Sequence, residues 1–155
     1  MKTKQPNWSI GECTISYKPE KKSLLGRVVS SHSAYSYFLP LYEDELNHVE
    51  KFMILHLSRS NRIIGHSTIS IGGVAGTVCD AKVIFQKLLK TNASAFIACH
   101  NHPSGNSNPS AADIEITKKL KNAGEMLDLL LLDHIILAED ENGKKFYSFA
   151  DESKI

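Results

Sequence analysis

The stretch Ala93-Ser-Ala-Phe-Ile-Ala-Cys-His-Asn-His-Pro-Ser-Gly-Asn-Ser-Asn-Pro-Ser-Ala-Ala-Asp113 decides how this chain reads. Ala93 to Cys99 is a short apolar run suited to a buried strand. Pro103, Gly105 and Pro109 make the following residues a loop. Ser110 then opens a helix that runs to about Ala123, with Gly124 expected to end it. His100 and His102 stand at i and i+2 where the strand finishes, so alternation points both imidazoles to one face. Two strand rises put their Cα atoms about 6.6 Å apart. Cys99 falls on the opposite face and belongs in the core; Asn101 likewise faces away from the imidazoles.

Working outward from this unit, elements of both kinds follow. Glu43 to Val49 reads as the end of a helix leading into an apolar strand, Phe52 to Leu57. Ser58 to Asn61 is turn-forming, and Ile63 to Ile69 resumes as the second arm of a hairpin. Gly72 and Gly73 break the pattern. Asp80 caps a helix over Ala81 to Lys90 whose apolar positions Val83, Ile84, Leu88 and Leu89 share a side. Leu129 to Leu137 is a strongly apolar strand, and Lys145 to Phe149 pairs with it through a turn at Glu141-Asn142-Gly143. Strands interleaved with helices predict an α/β fold: a single domain with a central mixed β-sheet flanked by helices. Residues 1–42 are expected to be a partly ordered N-terminal extension and residues 43–155 the domain.

Composition bounds the function classes. A domain of 155 residues buries roughly 68–70% of its unfolded surface, so no disulfide or metal is needed merely to fold. Hydrophobic content of 42% with 23% charged residues is globular. A formal charge of +1 excludes a strongly basic nucleic-acid wrapper, although Lys2, Lys4, Lys18, Lys21, Lys22 and Arg27 make a basic arm. No apolar run approaches the roughly 18 residues of a membrane span. MKTKQPNWSI lacks the apolar core of a signal peptide. Three dispersed cysteines, Cys13, Cys79 and Cys99, make no disulfide framework. The expected address is cytoplasmic.

The reactive side chains concentrate at His100-Asn-His102 and Ser110-x-x-Asp113. Two imidazoles on one strand face can converge on an ion at about 2.0–2.1 Å, to which Asp113 would add a hard oxygen from the first turn of the next helix. Two His and one carboxylate leave a fourth position for water, the make-up of a catalytic zinc site; the same set also suits non-haem Fe(II). The competing explanation of Ser110 and Asp113 is a capping box, S-x-x-D, which accounts for both residues at least as well. The adjacent letters His-Asn-His are no sign of an HNH nuclease, whose residues are dispersed. His134, after Asp133 in an apolar strand, reads as a core histidine with its hydrogen bonds satisfied. His56 and His66 sit in the hairpin without ligand-type partners, and Ser104 shapes the loop.

His100-x-His102, seven residues, then Ser110-x-x-Asp113 resembles the JAMM (MPN+) metalloprotease motif at every required position. His100-Asn-His-Pro-Ser-Gly105, Pro109-Ser-Ala-Ala-Asp113, Thr117-Lys-Lys-Leu120 and Leu132-Asp-His-Ile-Ile136 are similar to the bacterial RadC branch. The likeness runs back through Gly72-Gly-Val-Ala-Gly-Thr77 and on to Tyr147-Ser-Phe149. It covers roughly residues 45 to 150. Larger RadC proteins carry an N-terminal helix-hairpin-helix region, for which this chain is too short. Many also have Val-His-Pro-Arg-Glu where this chain has Cys79-Asp-Ala-Lys-Val83.

The resemblance implies a cytidine-deaminase-like/JAMM-type fold and one Zn2+ per chain, held by His100, His102 and Asp113. It also implies an upstream glutamate as acid/base, which matches Glu50. From the residues alone Glu50 is an ordinary exposed carboxylate. Zinc brings the pKa of a bound water from 15.7 toward about 7. Glu50 would take its proton and return it to the departing amine, and Ser110 would hydrogen-bond the developing oxyanion. The implied reaction is hydrolysis of an amide or isopeptide bond in a peptide or protein substrate. A second expectation, from a different class, is a DNA-associated repair or mobile-element accessory protein of the RadC type that does not hydrolyse. No membrane partner is expected.

Overall fold

The apolar runs become five strands: β1 (Lys51–Leu57), β2 (Ile63–Ile71), β3 (Ala95–Asn101), β4 (Leu130–Leu137) and β5 (Phe146–Ser148). They form one sheet in the order β2-β1-β3-β4-β5. The structure, a computed structural model, describes residues 16–17, 26–42, 45–72, 79–139, 143 and 145–155. Among these residues three helices accompany the sheet: α1 (Ser31–Phe38), α2 (Ala81–Lys90) and α3 (Ala111–Met126), with a 3-10 turn over Leu39–Tyr42 after α1. Only β3 and β4 run parallel, with α3 as their crossover; the other neighbours are antiparallel. The sheet is therefore mixed, as the alternation of patterns predicts.

Strand β3 is central and buried along its whole length, as is β1 beside it. A strand covered on both faces needs apolar side chains in both parities, which accounts for its nearly continuous run. Ala95, Ile97 and Cys99 pack with Tyr35, Phe38 and Tyr42 from the first helical segment. Phe96 and Ala98 pack with Ile84 and Leu88 of α2 and Leu120 of α3. Cys99 is fully buried on the first of these faces, where parity puts it. His100 continues the second face, toward α3.

Several boundaries differ from the sequence expectation, each for an identifiable reason. Residues 45–48 are turns rather than the end of a helix, and residues 43 and 44 lie outside the described residues. The carbonyls of Leu46 and Val49 turn to the Asn101 side-chain amide, which the Glu45 carbonyl also meets while accepting from the His48 and Val49 N–H groups, so turns form here but no helix follows. Helix α1 lies in the stretch expected to be a partly ordered extension, and its Ala34, Tyr35 and Phe38 are core residues. It opens with a Ser30–Ser33 capping box, which lacks the usual acidic signature. Helix α3 runs past Gly124 to Met126. A Cβ at Gly124 would lie 2.2 Å from the Leu129 carbonyl oxygen, so that glycine serves close packing and not termination. Strand β3 starts at Ala95, two residues later than the apolar run.

The hairpin β1–β2, the Asp80 cap of α2 and the β4–β5 pairing are as expected. Most of the basic arm and of the Gly72–Thr77 stretch, together with residues 140–142, lies outside the described residues, as does Cys13. Among the described residues no helix is long and apolar enough to cross a membrane.

Candidate metal centre

The side chains of His100, His102 and Asp113 meet where β3 ends and α3 begins. One donor atom from each lies within 4.8 Å of the others. His102 lies one residue past β3, yet its N–H still donates to the Leu137 carbonyl, so the extended path of the strand is prolonged beneath the second imidazole. The chain then turns back. Gly105 N–H donates to the His102 carbonyl, with Gly105 at φ +78°, and a Cβ there would stand 3.1 Å from the Glu139 carbonyl oxygen. This reversal returns Ser110 and the first turn of α3 over the strand end.

Asp113 serves two purposes through its two oxygens. Oδ2 accepts from the Ser110 N–H at 2.7 Å and from the Ser110 hydroxyl at 2.6 Å, completing a capping box in which Ser110 Oγ also accepts from the Asp113 N–H. Oδ1 lies 3.1 Å from His100 Nε2, and Oδ2 lies 3.4 Å from His102 Nε2. The cap and the cluster with the imidazoles, alternatives in the sequence, coexist.

The imidazoles are oriented from behind. His102 Nδ1 lies 2.7 Å from the Asn106 carbonyl, which can only accept, so Nδ1 carries a proton. His100 is 1% exposed, stacked on Phe52 with ring planes 8° apart, and its Nδ1 lies 2.9 Å from His134 Nε2. Both Nε2 atoms turn into the cluster and stand 3.0 Å apart. Burial alone would lower the His102 pKa; the hydrogen bond that Asp113 accepts from it, the Asn106 carbonyl and the charge of Glu50 outweigh it, and the net shift is upward. Burial would raise the Asp113 pKa, but the adjoining His100 and His102 rings and the Ser110 hydroxyl hold it far below the usual carboxylate range. Burial, then the neighbouring His100, pushes the His134 pKa well down.

The donor set fits a divalent metal. The two Nε2 atoms stand 3.0 Å apart, one 3.1 Å from Asp113 Oδ1 and the other 3.4 Å from Oδ2, so the facing donors call for a proton or a metal cation among them. Tetrahedral ligands at about 2.0–2.1 Å from zinc are about 3.3 Å from each other.

Glu50 precedes β1, half-buried, and its carbonyl accepts from Gly72 N–H. Its carboxylate is close enough for its charge to act on His102. Two neighbours have more structural consequence than the sequence suggested. Asn101, fully buried on the far side of β3, accepts from Lys51 N–H and holds the carbonyls of Glu45, Leu46 and Val49, thereby fixing the segment that carries Glu50. Thr117, one turn along α3 from Asp113, bonds both the Asp113 carbonyl and His134. A buried Asn between two His was the available signal for the first; for Thr117, it was its i+4 spacing from Asp113. His56 bonds Thr91 and Ser67, and His66 lies beside Tyr37, both away from the cluster.

A mixed α/β domain with a His-x-His strand end and a capping Asp at the next helix defines the class. The model of the RadC-like JAB domain matches residues 28–154, and the chain belongs to that family. It is 46% identical over 128 residues to a UPF0758 protein of Flavobacterium johnsoniae, covering 83% of this chain and 53% of that one. To a UPF0758 protein of Chlorobaculum parvum it is 31% identical over 132 residues, covering 85% and 57%. To the UPF0758 protein YfjY of Escherichia coli K12 it is 38% identical over 102 residues, covering 66% and 61%. The chain thus spans 53–61% of the length of these three relatives.

Proposed function

We propose that this domain is a zinc-dependent hydrolase of the JAMM type that cleaves an amide or isopeptide bond in a peptide or protein. His100 Nε2, His102 Nε2 and Asp113 Oδ1 would hold the ion. The observation that carries the reading is the convergence of both Nε2 atoms at 3.0 Å while Asn106 occupies the Nδ1 of His102 and His134 that of His100. Zinc, when bound, supplies Lewis acidity: it acidifies water toward a pKa of about 7 and polarises the scissile carbonyl.

The chain's own residues do the rest. The Glu50 carboxylate accepts the proton of the attacking water and delivers it to the departing amine nitrogen, a role worth about 10²–10⁴ in rate. Asn101 keeps the Glu50 segment in place. Ser110 Oγ–H turns from Asp113 Oδ2 to the developing oxyanion, a contact whose removal elsewhere costs about 2.7–4 kcal/mol. Asp113 Oδ2 keeps the Ser110 N–H during that turn, so the helix start stays capped. Phe52 and the packed face behind His100 exclude water from the inner side of the cluster.

Elemental analysis of purified protein tests the first step, with about one zinc per chain expected and none in His102→Ala. A wild-type protein that takes up no zinc on titration would remove the proposal's basis. Glu50→Gln is expected to retain zinc and lose cleavage of a peptide library that the wild type turns over; full turnover in that variant reassigns the proton carrier.

A further inference from the structure

Behind His100 runs a chain of hydrogen bonds whose direction can be worked out atom by atom. Thr117 Oγ1 lies 2.5 Å from the Asp113 carbonyl oxygen, its own i−4 partner on α3. A carbonyl only accepts, and two oxygens approach that closely only with a proton between them, so the threonine hydroxyl donates there. Having spent its one proton, Oγ1 offers a lone pair to His134 Nδ1 at 2.6 Å, and that nitrogen must carry hydrogen. His134, fully buried between Phe52 and Phe149 with no carboxylate at either ring nitrogen, carries that one proton, so its Nε2 is bare and accepts from His100 Nδ1–H at 2.9 Å. His100 in turn has a bare Nε2, aimed at Asp113 Oδ1 and His102.

We infer that Thr117 and His134 are positioning residues that lock His100 in its Nδ1–H tautomer, the form in which Nε2 can ligate a metal. The circuit begins and ends on one residue: the Asp113 backbone sets the threonine proton, and the Asp113 carboxylate faces the nitrogen that this proton leaves bare. Helix start and strand end are thereby coupled through four groups. If the chain ran the other way, with the threonine hydroxyl donating to His134, then His100 would carry its proton on Nε2 and point it at Asp113. No ion could enter without reversing every bond. The threonine bond to its own helix carbonyl prevents this, and valine at 117, similar in shape, would remove the constraint while still filling the space.

The inference rests on the metal reading only for its consequence, so the test has a metal-free arm. In the metal-free protein, long-range ¹H–¹⁵N correlation of the imidazole rings is expected to show Nδ1 protonated and Nε2 bare on both His134 and His100. Protonated Nε2 on His134 overturns the inference. In the second arm, zinc affinity is measured by competition with a chromophoric chelator. Thr117→Val is expected to weaken it about 10–100-fold, the usual effect of removing an outer partner of a ligating histidine, and to populate the Nε2–H tautomer of His134. Thr117→Ser, which keeps the hydroxyl, is expected to stay within about threefold of wild type on the same scale. His134→Gln places an amide oxygen near the position of Nε2 and should lose less affinity than His134→Phe. Unchanged zinc affinity in folded Thr117→Val, judged by its unfolding midpoint, overturns the assigned consequence. If the wild type itself binds no zinc, the hydrolase proposal falls, while the ring spectra still decide the direction of the chain.

Discussion

The double use of Asp113 predicts that helix capping and metal binding can be separated by two substitutions three residues apart. In Asp113→Asn the amide oxygen can take the place of Oδ2 and keep the Ser110 N–H bond now 2.7 Å long. The amide nitrogen then occupies the position of Oδ1, 3.1 Å from His100 Nε2, and donates into the lone pair that a metal would need. The helix start is preserved, whereas the cluster loses its negative charge and one of its three ligand atoms. Zinc affinity should therefore fall by more than the roughly 100-fold that marks loss of an outer partner. Ser110→Ala does the reverse. It removes the side-chain cap, at about 0.5–2 kcal/mol, and leaves both imidazoles and the carboxylate. At about 2–4 °C per kcal/mol for a chain of this size, the metal-free Ser110→Ala protein should melt a few degrees lower and bind zinc within about tenfold of wild type. The assay is differential scanning calorimetry of the metal-free proteins beside chelator competition on the same preparations at pH 8. Wild-type zinc affinity in Asp113→Asn, or its collapse in Ser110→Ala, would refute the assignment of separate tasks to the two oxygens.

Three further outcomes follow from individual contacts. The net upward shift of the His102 pKa means that a proton competes for Nε2 as pH falls through the raised value; zinc affinity should decline below it, approaching tenfold per pH unit for the one proton displaced, and chelator competition from pH 8 to pH 5 would expose a flat profile. The sign for the metal-free fold is opposite to an acidic group's: this stabilisation is full below the unfolded value near 6.5 and fades as pH rises through the raised one, measurable as a falling melting temperature. Gly124→Ala should destabilise by about 1–3 kcal/mol or more, because its Cβ meets backbone rather than a yielding side chain; an unchanged urea midpoint contradicts the packing described. Asn101→Ala strips the partner from the half-buried Leu46 and Val49 carbonyls and from the buried Lys51 N–H, at about 1–3 kcal/mol for each group left dry; Asn101→Asp, which keeps only the acceptor, should also lower turnover by loosening the Glu50 segment, and full activity in it would show that the clamp is dispensable.

The fold was legible wherever one residue type met one period. β4 is an apolar run with no competing helical reading, and α2 carries both an Asp80 cap and a one-sided apolar stripe. α1 escaped because its cap is a serine pair and its buried face consists of only Ala34, Tyr35 and Phe38 within eight residues. Residues 45–49 misled for a different reason. Their local sequence suits a helix, and a side chain more than fifty residues away, Asn101, draws the Leu46 and Val49 carbonyls elsewhere. Gly124 likewise looked like a stop signal because the atom it accommodates, the Leu129 carbonyl oxygen, comes from beyond the helix.

The same distinction between local and distant information explains the site. Strand parity alone puts His100 and His102 on one face and Cys99 on the other, and the spacing Ser110-x-x-Asp113 alone describes a cap. Sequence could not choose between cap and cluster because that choice depends on which carboxylate oxygen faces which neighbour, and Oδ1 and Oδ2 are indistinguishable in a string of letters. Nor could it separate a core histidine from a positioning one at 134. Both are buried and fully bonded, and the difference lies wholly in the partners, Thr117 and His100, that β4 register and the α3 crossover bring to its two ring nitrogens. A satisfied buried histidine thus becomes informative once the direction of each bond is assigned. Whether it belongs to the core or to the site turns on where its acceptor nitrogen points.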